Sequence, residues 1–136
     1  MGQQQLLIII LGVFVVGLAA AIGITMFTDN AADSNRDAVS GDLVNLAARA
    51  HQYYIRPTTL DGGGSSFAGL TANAAGLEKL TNRASNGNGT YSILTNGTAT
   101  GVVIQGVGTE RVDASHFVTL RIHVFNNKTD SLVVIH

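Results

Sequence analysis

The side chains able to do chemistry are few. His51, His116, His123 and His136 are the imidazoles, and Asp113-Ala114-Ser115-His116 brings a carboxylate, a hydroxyl and an imidazole into one short stretch. In a nucleophilic triad the serine attacks, the histidine takes its proton and the carboxylate orients the ring, and the three are recognised by geometry rather than adjacency. Neighbours such as Asp113, Ser115 and His116 are ordinary loop residues. No histidine has a second histidine or carboxylate at a spacing that would place two metal ligands on one face. All four are expected at the surface, with His51 off the buried stripe of its helix and His123 pointing outward from its strand.

Gly101-x-x-x-x-Gly106-x-Gly108 lacks the Lys-Ser/Thr of a phosphate loop, and Gly62-Gly63-Gly64 does not open a helix after a strand. The chain has no cysteine, which removes disulfides, zinc thiolates, iron–sulfur clusters and thiol catalysis together. The expectation is a protein that is not an enzyme and uses neither metal nor cofactor. Tyr53 and Tyr54 are expected to pack beneath a sheet. Asn88-Gly-Thr, Asn96-Gly-Thr and Asn127-Lys-Thr match the N-glycosylation acceptor pattern and fall in turns, which makes Asn88, Asn96 and Asn127 candidate modification sites.

At 136 residues with a net charge of −1, the chain has room for one compact domain, or a small domain plus one long appended element. Its 8 Lys and Arg are scattered along the sequence. Without a basic patch or an acidic tail, no nucleic-acid partner is expected.

The apolar residues are concentrated at one end. Leu6 to Phe27 is a run of 22 residues without a charge, in which Thr25 is the one hydroxyl. A bilayer core of about 30 Å takes about 20 apolar residues at 1.5 Å rise each, so the run is long enough to span. A signal peptide has a basic start and a shorter core. Here Met1-Gly2-Gln3-Gln4-Gln5 carries no Lys or Arg; Ala19-Ala20-Ala21 offers a cleavage context, but the segment is expected to stay in the mature protein. Small residues recur through it at Gly12, Gly17, Ala19, Ala20, Ala21 and Gly23, and the Gly17–Ala21 pair allows helix backbones to approach closely.

The helix is expected to continue past the apolar run. The polar stretch Thr28 to Arg36 contains neither Pro nor Gly. Val39, Leu43, Leu46, Ala50 and Tyr53 then form a helical stripe, with Arg36, Ser40, Asn45, Arg49 and Gln52 off it. Arg56-Pro57 ends the pattern, because the residue before proline disfavours helix. A single helix from Gln3 to Ile55 would be about 80 Å long; a break within 28–35 is the alternative.

Beyond it, Asp61 to Phe67 reads as a flexible or tightly turning loop, Asn73 to Leu80 as a short helix with Leu77 and Leu80 inward, and Asn86 to Gly89 as a loop. Thr90–Thr95 and Thr98–Gln105 flank Asn96-Gly97, a hairpin signal. A loop over Gly108–Ser115 leads to Val118, Leu120, Ile122 and Val124, which alternate with outward residues; a turn at Asn126–Asp130 leads to a last strand, Ser131–His136. The expected fold is α+β: a long N-terminal helix packed on a four-stranded antiparallel meander. Residues 1–28 form an apolar membrane or filament-core helix, 29–56 its amphipathic half, and 57–136 the loop region and sheet.

This order of a helix first apolar and then amphipathic, a loop and a four-stranded antiparallel sheet resembles type IV pilins and the pseudopilins of type II secretion. The chain departs from that family at its start: no basic leader precedes Gly2, Met1 stands where the family has Phe, and Gln5 where it has Glu. The family's helix-breaking Pro in the buried half is absent, with Gly12, Gly17 and Gly23 there instead. The resemblance implies a structural subunit that polymerises through its N-terminal helix. Leu6, Leu7, Ile10, Gly12, Phe14, Gly17, Ala21 and Gly23 would pack in the filament core, and Met1 and Gln5 would set register. It implies as partners other copies of the chain, the inner membrane before assembly and a pilus assembly machinery, with the cell surface as destination. The alternative is a minor pseudopilin or a single-pass membrane-anchored binding domain.

Overall fold

The computed structural model describes residues 2–128 and 130–136. One helix, α1 (Gly2–Ile55), runs without interruption through the apolar run and the amphipathic stripe, so the break weighed for 28–35 does not occur. It is followed by a 3-10 turn (Thr58–Leu60), a short helix α2 (Ala74–Glu78), and the strands β1 (Gly89–Thr95), β2 (Gly101–Arg111), β3 (Phe117–Phe125) and β4 (Ser131–Val134). The strands pair antiparallel in the order β1-β2-β3-β4. The fold is therefore α+β, a long helix and a four-stranded meander.

The stripe read from the sequence is the buried face. Val39, Leu43, Leu46, Ala50 and Tyr53 are buried, joined by Ala32 and Ala47. They meet Val102 and Ile104 from β2, Val118, Leu120, Ile122 and Val124 from β3, and Tyr91 and Ile93 from β1. Period-2 burial along β2 and β3 puts one pleat face on the helix. A sheet of this size with one apolar face, or the half-helix alone, is marginal in water; packed together they enclose one core.

Helix and sheet approach closely because two positions on β2 lack side chains. A Cβ at Gly106 would press on Val39 and Tyr91, and one at Gly108 would collide with the Asn35 carboxamide. Among the described residues, Asn35 is the buried polar residue of the core. Its Nδ2 donates to the Asn88 carbonyl at 2.8 Å, and its Oδ1 accepts from the backbone N–H of Thr109 and Glu110 at 3.1 and 3.3 Å. One carboxamide thus joins the helix to the loop before β1 and to the far end of β2.

Several elements differ from the sequence reading. Asn96-Gly97 does not form a two-residue hairpin: β2 starts at Gly101, and the β1–β2 register slips between Ile93 and Thr95. The pair is drawn instead into the loop packing, where Asn96 Oδ1 accepts from Ala72 N at 2.7 Å and Gly97 N donates to Leu70 O at 2.8 Å. β2 runs on to Arg111, because Gly108 and Thr109 are held against Asn35, so the following loop shortens to 112–116. β4 ends at Val134. The glycine-rich loop is a C-cap for α1. Gly63, Gly64 and Ser65 donate backbone N–H to the carbonyls of Tyr53, Arg56 and Tyr54 at 2.7, 3.0 and 2.8 Å, satisfying acceptors that a helix end leaves open. Gly64 takes φ 56° in that turn, a conformation glycine adopts freely. Phe67 then enters the core fully buried, with Tyr54 against its ring at 4.8 Å. α2 is capped by Asn73, whose side chain accepts from Gly76 N, and Leu77 and Leu80 are buried as expected.

Two substitutions test this seam by thermal unfolding of the detergent-solubilised full chain, followed by circular dichroism. Asn35→Ala leaves the N–H groups of Thr109 and Glu110 without their acceptor and is expected to cost about 1–3 kcal/mol. Gly41→Ala, at an exposed helical position with open space around it, is expected to stabilise by up to about 1 kcal/mol.

Candidate functional site

The feature without a purpose inside the domain is the first half of α1. Its most apolar window has 0% of its residues buried. Leu6, Leu7, Ile10 and Phe14 are 58–65% exposed, and a Cβ added at Gly12, Gly17 or Gly23 meets nothing within 4 Å. These glycines make room for nothing in their own chain. They weaken the helix by about 1 kcal/mol each relative to alanine, a cost repaid only by a close neighbour outside it.

At 3.6 residues per turn the small residues fall on two faces roughly opposite one another. Gly17 and Ala21 share one, and Gly12, Ala19 and Gly23 share the other. Reading Gly17–Ala21 alone misses the second face, whose spacing of seven and then four residues follows from the same helical period. Gln5 lies on the second face and is exposed; Met1 lies outside the described residues. The two hydroxyls at the end of the run are satisfied within the helix: Thr25 Oγ1 donates to Ile22 O and Thr28 Oγ1 to Thr25 O, each at 2.8 Å. Such back-bonding lets Thr sit in an apolar setting without an unpaired donor. The helix is thus long and apolar enough to cross a membrane.

The junction between this half and the domain is polar and tied down. About 20 Å further along α1, Asp42 Oδ2 accepts from Tyr91 OH, Asn86 Nδ2 and Asn88 Nδ2, the two amides at 2.8 Å. Burial pushes the Asp42 carboxyl up, but the three donors outweigh it and hold it below the usual carboxylate range. Burial, and then the bond to Asp42, push the Tyr91 phenol up. Asn88 is therefore occupied on both its side chain and its carbonyl, and a glycan on its Nδ2 would displace the bond to Asp42. Asn96 and Asn127 are exposed; the Thr129 of the Asn127 acceptor pattern lies outside the described residues.

The histidines are not uniformly at the surface. His51 is half-buried with Nε2 3.0 Å from Asp130, and Phe67 meets its ring edge-on; this contact pins the turn before β4 to α1. His123 is half-buried beside Phe125. His116 and His136 are exposed and stack at 4.2 Å. Asp113 accepts from the N–H groups of Ser115 and His116 at 2.7 and 2.9 Å and lies 3.0 Å from His116 Nδ1. The Ser115 N–H foremost, then the His116 ring, hold that carboxyl low. Asp113 closes the β2–β3 turn, and Ser115 makes no side-chain bond to the ring. Among the described residues no three His, Asp or Glu side chains converge on one point. Tyr53 is buried and Tyr54 half-buried, packed at the helix end against the loop rather than squarely under the sheet.

Comparison of the chain with protein-family models, with curated proteins and with solved structures gives no match.

The Asp42 cluster makes the domain acid-sensitive. A carboxyl held below its ordinary value of 3.8 contributes stability that is complete above that pH and lost as the pH falls below it. Asp42→Asn is expected to lower stability at neutral pH by about 1–3 kcal/mol. It should also flatten the further loss as the pH falls below 3.8, both read from unfolding curves across pH.

Proposed function

We propose that this chain is a structural subunit that polymerises into an extracellular filament through the first half of α1, held in a membrane before assembly. The observation that carries the proposal is the continuity of α1: a fully exposed apolar half, with glycines that face nothing in their own chain, extends rigidly from a half clamped into a folded domain. A lone anchor needs apolar length only. Two opposite small-residue faces suit a helix with neighbours on more than one side, as in a bundle of many copies. Passing from lipid to such a bundle is nearly neutral in hydrophobic energy, so close packing must favour the assembled state.

In this reading Leu6, Leu7, Ile10, Phe14, Gly17, Ala21, Gly12 and Gly23 pack in the core, and Gln5 hydrogen-bonds a neighbour's N-terminus. The role is structural rather than catalytic. The type IV pilin-like architecture further suggests an inner-membrane pool, an assembly machinery, and a cell-surface filament as the product.

The test is electron microscopy of material sheared from the surface of cells producing the full chain. Thin filaments containing the chain are expected. Gly17→Leu should reduce them more than about tenfold by blocking close approach, while the unfolding temperature of the domain stays unchanged. A chain recovered only from membranes, with no filaments, would instead make it a minor pseudopilin or a membrane-anchored domain.

A further inference from the structure

We propose that a cation-lined groove on one flank of α1 receives the acidic flank of α1 from a second copy of this chain, so that subunits register by a head-to-tail charge contact. The proposal rests on the filament reading above and names the surface by which neighbouring domains meet.

The groove runs between α1 and the segment after α2, with a volume of about 410 Å³. Arg49, Arg56 and Lys79 line it, with Asn45 and Gln52 between them and no carboxylate among the lining residues. None of the three cations has an ion-pair partner among the described residues. Arg49 Nη1 donates to the Leu80 carbonyl at 3.0 Å, which fixes its position and leaves its other donors free. Lys79 lies 5.7 Å from the centre of the Tyr53 ring. Asp42, on the same flank, is occupied by Tyr91, Asn86 and Asn88. The groove is thus a positive surface without its counter-charge.

The counter-charge lies on the same helix. Asp29, Asp33 and Asp37 recur at intervals of four residues and are exposed. Asp33 pairs with Arg36 at 2.8 Å; Asp29 and Asp37 have no ion-pair partner among the described residues. At 3.6 residues per turn, this ladder lies about 120° to one side of the buried stripe, and Arg49 and Arg56 about 90° to the other. Two parallel copies set side by side in the same orientation therefore present the groove of one to the ladder of the next. The spacings agree: Arg49 to Arg56 is about 11 Å along the axis and Asp29 to Asp37 about 12 Å.

Bringing ladder to groove shifts one copy about 30 Å along the axis, within the roughly 33 Å of the apolar run. That leaves about 3 Å of axial overlap, so the apolar runs of the two contacting copies meet nearly end to end, and side-by-side core packing comes from other copies in the assembly. Different patches on the two partners make the contact heterologous, and such contacts extend into open helical assemblies when the rotation does not close. Opposed charges fix register and penalise like-charge alignments.

The test uses full-length variants in the filament assay. Arg49→Glu with Arg56→Glu, and separately Asp29→Lys with Asp37→Lys, should each lower filament yield more than about tenfold, and all four changes together should restore it to within about threefold. The milder pairs, Arg49→Gln with Arg56→Gln and Asp29→Asn with Asp37→Asn, should each lower yield by a smaller factor and guard against loss of folding. Wild-type filaments matched in yield by every variant, or no recovery in the four-fold exchange, would overturn the charge contact alone. No wild-type filaments would overturn it together with the filament reading.

Discussion

Everything in this molecule hangs on the seam where residues 32–53 of α1 lie against β2 and β3. The sheet has one apolar face and the helix one apolar stripe, and each is marginal in water without the other. Gly106 and Gly108 let the two approach closely, and Asn35 turns that contact into a defined register by joining the helix to Asn88, Thr109 and Glu110. The length of β2, the capping loop after α1 and the burial of Phe67 all follow from where this seam sets the helix.

The same seam gives the apolar half of α1 its direction. Because α1 is a single helix, clamping its second half orients the first. Thr25 and Thr28 satisfy their own hydroxyls, and the charges begin only at Asp29. The chain therefore passes from an apolar to a charged surface along one helix without changing its backbone. The apolar surface left uncovered is long enough to cross a membrane, and small residues fall on two of its faces.

Polar side chains in the domain serve mostly to close it. Asp42, Asn73, Asn96, Asp113 and the His51–Asp130 pair each tie a loop or turn to a regular element. What remains unpaired is distributed unevenly around α1, positive on one flank and negative on the other, which gives the domain a polarity around its axis as well as along it.

The spacing of apolar residues sufficed to place α1, its buried stripe, the inward set of β3 and the order of four strands. These are local periodicities of 3.6 and 2, which burial simply enforces. The sequence also showed the apolar run and its glycines, and the second small-residue face follows from the same helical period. It misplaced Asn96-Gly97, because a strong turn pair was recruited by Leu70 and Ala72 instead of joining two strands tightly. It could not show that Arg49, Arg56 and Lys79 share a groove, that Asn35 is buried, or that His51 meets Asp130. Those juxtapositions link positions far apart in the chain. They exist only because folding the sheet onto the helix brings α2, the β1 loop and the β4 turn to its sides, a choice made by packing rather than by any local pattern.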